Sequence, residues 1–269
     1  MVNLLLVVAL AAQQIVINDP LAETRTVTSG FNKIVVAGGI ELYLSQYDKE
    51  SIAVSASKEQ YRQYIKTEIS NNELSILYDG PRKWLGGSNT IKVYVSFKTL
   101  KSLRSSGACL VKVSDSINVP DLLLGMSGAS NFNGLVKVNN LSIQLSGASQ
   151  AMVSGNATAL TVLCSGASNF NGLINVNNLS IRLSGASQAK VSGSATELMV
   201  LCTGASDLSA YNLSTEICNV VASGASDIYV SAKSELYISA TGASTVFYKG
   251  TAQVKKNIST GASKVFHKD

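Results

Sequence analysis

Side chains able to do acid–base, nucleophilic or metal chemistry are few in this 269-residue chain, and they are scattered. There is one histidine, His267, close to the C-terminus. A histidine-based triad or metal site would rest on it alone, and its place reads as an exposed or capping position. A recurring Ser-Gly-Ala-Ser tetrapeptide sets a register in which Asp207 and Asp227 hold the same place in successive repeats. They are the nearest approach to a carboxylate pair, but their equivalents are Asn131, Gln150, Asn169 and Gln188, so the position reads as a solvated polar row. The Gly-Gly-x-Gly-x-Asp nonapeptide of calcium-binding β-rolls is absent. No catalytic residue, no cofactor-binding residue, no metal ligand and hence no cofactor is assigned.

The four cysteines are judged by the same register. Cys164 and Cys202 share an inward position two repeats apart, about 9.6 Å by strand spacing and beyond the roughly 7 Å Cα limit of a disulfide. Cys218 faces inward four residues along, and Cys109 stands alone in a serine position. All four are expected to be free and to behave as small buried hydrophobes. One outward row is less bland. Five residues after the repeat glycine, the last repeats carry Tyr229, Phe247 and Phe266, where earlier ones carry Asn133, Met152, Asn171, Lys190 and Ser209. Beside Lys249 and Lys264 these rings form a candidate ligand surface for sugar rings or a partner protein. The competing reading is cross-strand stabilisation of the end of the molecule.

These residues are positioned by the repeat. Its glycines are Gly107, Gly128, Gly147, Gly166, Gly185, Gly204, Gly224, Gly242 and Gly261, a period of about 19 residues with one-residue slips, which signals a solenoid. Positions six, four and two before each glycine are apolar, as in Leu141, Ile143, Leu145 and Leu179, Ile181, Leu183; positions four and six after it behave alike, as in Val111 and Val113. Spacing by two means strands with one buried face and excludes a helical solenoid. Phe132 with Gly134 and Phe170 with Gly172 alternate with Ala151 and Val153, and with Ala189 and Val191, which fills a narrow interior by volume compensation. The glycine permits a sharp corner, the alanine stacks there, and the following serine forms a hydroxyl ladder from Ser130 to Ser263 serving corner backbone and its own neighbours. Two near-identical units, Ser127 to Leu163 and Ser165 to Leu201, read as a 38-residue duplication. The expected fold is all-β, a parallel β-helix of about 19 residues per coil, each coil giving two or three short strands and nine coils a rod roughly 40 Å long.

Residues 25–105 are β-rich but irregular, with alternation at Ile40–Leu44, Leu74–Leu77 and Ile91–Val95, one or two helical turns at Lys58–Ile65, and a loop at Trp84–Ser88. This segment is expected to cap one end, while Lys255, Lys256 and Asn257 fall near apolar positions of the last coil and discourage end-to-end addition. Residues 1–12 read as a signal peptide lacking its positive start, and 13–269 as a single β-helix domain. With 14% charged residues and a net charge of +5 the chain is a packed protein, its lysines and arginines unclustered, so nucleic acid is not a partner and the mature chain has no membrane span.

Arg25-Thr26-Val27, Phe31-Asn32-Lys33-Ile34-Val35-Val36, the Gly38-Gly39-Ile40 turn, Gln46 and the Ser-Gly-Ala-Ser series resemble the head GIN-domain family of auto-transporter adhesins of Bacteroidetes-type bacteria, from about Arg25 to Phe266. The resemblance implies a right-handed parallel β-helix and an extracytoplasmic place (secreted, periplasmic or cell-surface), and it brings no defined active site. The chain ends just after its last repeat, so a translocating barrel is not expected within it. The function expected is a non-enzymatic binding or adhesion module whose partner is a glycan or a cell-envelope protein. The rivals are a β-helix lyase or hydrolase, which would need converging acids, and an envelope component that stacks into assemblies. Thiol labelling of the unfolded chain without reductant is expected to count four reactive cysteines; a lower count overturns the register.

Overall fold

A computed structural model describes residues 19–81 and 89–268, so the expected signal peptide and the loop at Trp84–Ser88 lie outside the described residues. Nineteen strands among them form one hydrogen-bonded sheet wound into a parallel β-solenoid of about 19 residues per coil. Its regular part runs through β8 (Ser102–Ser106), β9 (Leu110–Val113), β10 (Ile117–Met126), β11 (Asn131–Leu145), β12 (Gln150–Cys164), β13 (Asn169–Leu183), β14 (Gln188–Cys202), β15 (Asp207–Ala222), β16 (Asp227–Ala240), β17 (Thr245–Lys249), β18 (Gln253–Ser259) and β19 (Lys264–His267). Each stacks in parallel on its equivalent one coil away, as in Leu141↔Leu160↔Leu179↔Leu198↔Cys218↔Leu236.

The short strands expected after and before each corner are fused. From β11 to β16 one strand of 14 to 16 residues runs from one Ser-Gly-Ala-Ser corner to the next, bending without breaking. Three faces result. The first holds the six positions before the glycine, the second the five or so after the corner serine, and the third is a short strip between them.

Every corner glycine has positive φ, from 67° to 81°. A Cβ on Gly147 would stand 2.8 Å from the carbonyl oxygen of Gly128, so the corner requires glycine for space as well as for φ. In each corner the alanine N–H donates to the glycine carbonyl of the preceding coil, from Ala129→Gly107 at 2.6 Å to Ala262→Gly242 at 2.8 Å. The corner alanines, from Ala108 to Ala262, are solvent-exposed, so they are small for clearance and do not pack inward.

The corner serines from Ser130 to Ser244 are buried, but their hydroxyls do not bond one another. Ser244 Oγ donates to the Thr241 carbonyl at 2.8 Å, while Ser149 Oγ reaches the Met126 carbonyl at 3.3 Å and accepts from the Ser146 N–H at 3.1 Å. The spacing between coils is too large for hydroxyl-to-hydroxyl contact, and backbone groups lie nearer.

A second glycine column stands at the bend between the second and third faces. Gly155, Gly193 and Gly250 have φ of 136°, 112° and 104°, and a Cβ on Gly155 would lie 1.8 Å from the Val136 carbonyl oxygen. Volume compensation holds too: a Cβ on Gly134 would meet the Phe132 ring at 2.9 Å and Val113 at 2.6 Å, so each bulky ring folds over the glycine two residues on.

Toward the N-terminus the stack departs from sequence order. β2 (Lys33–Ala37) and β3 (Glu41–Gln46) form the coil beneath β8 and β9, and beneath them lie β6 (Glu73–Tyr78) and β7 (Ile91–Phe97). This end is then closed by antiparallel strands: β4 (Ser51–Ala56) on β7, β5 (Ile65–Ser70) on β6, and β1 (Glu23–Arg25) on β4. A 3-10 helix at Glu59–Tyr64 links β4 to β5, and Asn71 and Asn72, both at positive φ, turn β5 into β6.

At the other end the lysine pattern differs from expectation. A bulge sets Leu236 on Val254 but Tyr237 on Lys256, so Lys255 is the extra residue, Lys256 joins an outward row, and Asn257 and Ser259 stand on the inward Ile238 and Ala240. Gly155→Ala is expected to lower the unfolding free energy by about 2–3 kcal/mol in urea titration, because strain and a backbone clash add. Gly125→Ala, whose Cβ would meet only side chains at ordinary contact distance, Arg104 at 3.5 Å and Leu123 at 3.9 Å, should change it by less than about 0.5 kcal/mol.

Candidate functional site

The stack brings the three expected aromatic residues together. Tyr229, Phe247 and Phe266 are in register on the second face, with ring centroids 4.8 and 5.3 Å apart and interplanar angles of 8° and 18°. Tyr211 meets Tyr229 edge-on at 5.3 Å. It stands two residues beyond Ser209, the in-register partner of Tyr229, where β15 has lost register with β14, so a count of five from the glycine does not reach it. Lys249 Nζ sits 5.3 Å over the Tyr211 ring and Lys268 Nζ 5.5 Å over Phe247. Because the rings face one another along the rod, Tyr229 and Phe247 offer edges to a ligand, and Phe266, 42% exposed, offers its outer face.

The same row continues to the far end as Ser209, Lys190, Asn171, Met152, Asn133, Lys112, Tyr43 and Tyr94. Tyr43 and Tyr94 stack at 5.1 Å with Lys112 Nζ 5.4 Å over Tyr43, so the row is aromatic at both ends and amphipathic between. Desolvation and a hydrogen bond to Glu41 push the Tyr43 hydroxyl up to about 12, and desolvation and a 2.8 Å bond to Asp19 raise Tyr94 further.

A groove on the third face was not legible in the sequence. Three adjoining depressions of about 560, 560 and 350 Å³ share lining residues and run from Lys101, past Pro120 and Asn139, to Glu216 and Lys233. One wall is a column in register: Asn118, Lys137, Asn156, Asn175, Ser194, Ser214. Asn175 Nδ2 donates to Asn156 Oδ1 at 3.3 Å, and Ser194 Oγ donates to Asn175 Oδ1 at 2.9 Å, so the amides are held in one orientation. The floor is small or apolar: Val138, Ala157, Val176 and Ala195. Gln46 anchors the start, donating to the Asn118 carbonyl at 2.9 Å and accepting from the Asn118 N–H at 2.6 Å.

The carboxylates here are engaged. Glu216 accepts from Ser234 at 2.9 Å and pairs with Lys233 at 3.3 Å, and these partners hold its carboxyl below the usual range. Asp121 accepts from Asn140 at 2.7 Å. Asp207 and Asp227 are in register on the second face, with Gln188 Nε2 3.5 Å from Asp207. His267 is exposed with its ring stacked on Tyr248 at 4.7 Å. Among the described residues no group of three or more His, Cys, Asp or Glu side chains is gathered to hold a metal ion.

All four cysteines are buried thiols, and Leu183 stands between Cys164 and Cys202 in their column. Burial pushes Cys164 up to about 11 and Cys202 and Cys218 to about 12, so none is a nucleophile at neutral pH. Beside Cys164 and Cys202, each two residues before a corner glycine, the serine of that corner, Ser168 or Ser206, faces the thiol and opposes the shift.

The chain matches the family model "Putative auto-transporter adhesin, head GIN domain" over residues 30–173 and 157–252. Among solved structures it is similar to one described as a putative lipid binding protein from Parabacteroides distasonis, with 20% identity and a TM-score of 0.62 over 92% of this chain and 98% of that one. A putative adhesin from the same organism gives 19% and 0.58 over 91% and 96%, and one from Parabacteroides merdae 18% and 0.58 over 91% and 95%. No curated protein matches. At these identities the structures show a shared fold, and the family is described by adhesion and not by catalysis. No helix among the described residues is long and apolar enough to cross a membrane. With the model covering most of its length, the chain belongs to the head GIN-domain family of auto-transporter adhesins.

Proposed function

We propose that the protein is an exported, non-enzymatic adhesion module, a leader at residues 1–12 followed by one β-helix domain, that holds an uncharged polysaccharide along the third face. The observation that carries this reading is the in-register amide column at Asn156 and Asn175 in a groove that crosses coil after coil. An asparagine amide both donates and accepts, which suits hydroxyl-rich ligands, and Asn156 and Asn175 present it in two successive coils about 4.8 Å apart, with the hydroxyls of Ser194 and Ser214 following in the same column. Lysines and carboxylates along the groove are mixed, so neither a polyanion nor a polycation is favoured. The Tyr229, Phe247 and Phe266 row supplies a second contact at the open face of Phe266. Catalysis is disfavoured because the groove carboxylates do not converge: Asp121 accepts from Asn140 in the first depression and Glu216 pairs with Lys233 in the third.

In a binding screen of neutral and acidic polysaccharides, Asn156→Leu with Asn175→Leu is expected to weaken neutral-glycan binding at least about tenfold, or about 1.4 kcal/mol. Thermal stability should be retained, since both side chains are exposed. Undiminished binding by that variant, or release of shortened glycan, overturns the reading. The aromatic row also has a stability role: Phe247→Ser, which removes a ring stacked on both sides, is expected to cost about 2 kcal/mol in urea titration and more than Phe266→Ser. Equal costs would show that the stack does not act as a continuous unit.

A further inference from the structure

Of the glycines inside strands, Gly155 and Gly193 have positive φ, and Gly134 and Gly172 lie under phenylalanine rings. Gly125, in β10, answers to neither need: it is not at positive φ, and a Cβ there would meet only side chains at ordinary contact distance. A glycine in a strand interior costs chain entropy and packs nothing, and it marks places where something else comes close. Here it opens a hollow on the first face. Gly125 lies on the outward row Val35↔Arg104↔Gly125↔Gln144, where its missing side chain leaves a gap between a guanidinium and an amide. The depression at this gap holds about 340 Å³, a size that suits a small-molecule site, and Ser106, Ser127 and Ser146 of the corner column line it beside that row. A further depression of about 310 Å³ shares Gln144 and Ser146 and continues along the column to Ser184.

The charge in this hollow is unbalanced. Arg104 is exposed and makes no ion pair among the described residues, whereas Arg25 and Arg62 are each bound to a carboxylate. No carboxylate lines the depression. Ser127 Oγ donates to the Ser105 carbonyl at 3.5 Å and Ser146 Oγ to the Met126 carbonyl at 3.4 Å, which leaves both oxygens as acceptors for hydroxyl groups. The Gln144 amide, exposed at the far side of the gap, can both donate and accept. The strands here are hydrogen-bonded on both edges, β8 to β2 and β10, and β10 to β8 and β11, so there is no free main-chain ladder for a peptide.

We propose that the hollow over Gly125 binds an acidic sugar residue, its carboxylate on the guanidinium fork of Arg104 and its hydroxyls on Gln144 and the corner serines. A guanidinium offers a carboxylate two parallel N–H donors, which fixes orientation as well as charge, and the remaining lining groups suit the hydroxyls of the ring. Arg182 holds the same row farther along the rod, but Leu163 and Leu201 fill the places on either side of it, so the same charge stands there without a gap. The hollow shares no lining residue with the groove on the third face, so this assignment goes beyond the neutral-chain reading and the two fail independently.

The probe is methyl β-glucuronide, titrated by calorimetry at low salt, with methyl β-glucoside as its neutral counterpart. The uronide is expected to bind at least tenfold more tightly than the glucoside, and added salt should weaken it. Arg104→Gln, which removes the fork, and Gly125→Val, which fills the gap, should each weaken uronide binding at least tenfold without loss of thermal stability. Arg182→Gln should leave it unchanged, as should Asn156→Leu with Asn175→Leu, which alters only the groove. No binding of the uronide, equal binding of the glucoside, or undiminished binding by Arg104→Gln overturns the proposal. Loss of binding in the asparagine variant also overturns it, by placing the sugar in the groove. Acetate or a peptide with a free C-terminal carboxylate that competes as strongly as the uronide overturns it too, by giving the hollow to carboxylates at large.

Discussion

The column of hydrogen bonds through the Ser-Gly-Ala-Ser corners holds the solenoid in register. Each alanine N–H meets the glycine carbonyl of the coil beneath, and only a residue without a Cβ lets the two chains approach that closely. Once the corners are stacked, every position counted from the glycine falls on its equivalent, and inward and outward rows follow from the pleat. Ser130, Ser149, Ser187, Ser226 and Ser244 complete their corners by donating to backbone carbonyls that a sharp turn leaves exposed to an apolar interior.

Chemistry is thereby pushed outside. The interior is a run of aliphatic side chains, the rings of Phe31, Phe97, Phe132, Phe170 and Tyr78, and four thiols, the last made unreactive by the desolvation that stabilises the core. What faces water is a set of ladders of mixed composition, in which short stretches bring like residues together on successive rungs. A ladder of amides, such as Asn156 and Asn175, repeats one recognition function along a line, which suits an extended ligand better than a small substrate. A ladder of rings, such as Tyr229, Phe247 and Phe266, spends most of its faces on itself. The same rule of stacking therefore makes one row available for binding and turns the other largely toward holding the end together.

The ends are where the rule stops, and there the protein uses other devices. Antiparallel strands, a 3-10 helix and paired charges close one end. A bulge at Lys255 shifts the last strand so that Asn257 and Ser259 stand over the core while the lysines remain in water. Val254 stands over Leu236, and the polar Asn257 and Ser259 take the next inner positions over Ile238 and Ala240.

Periodicity alone determined the strands, their inward faces, the coil length and the isolation of the cysteines, because neighbours one coil apart in space are one period apart in sequence. It also placed Tyr229, Phe247 and Phe266 in one row. Tyr211 escaped because it stands two residues beyond the row position that Ser209 holds and meets Tyr229 only through its ring edge, and Gly155 and Gly193 escaped because their column recurs only every second coil. The N-terminal strand order, with β6 and β7 beneath β2 and β3, was decided by tertiary structure, since a chain that doubles back carries no repeat to announce it. The groove was decided there too. Asn118, Lys137 and Asn156 look like ordinary solvated residues until the bend of the third face sets them along one wall, and curvature of the sheet is a property of how coils pack that no single coil encodes.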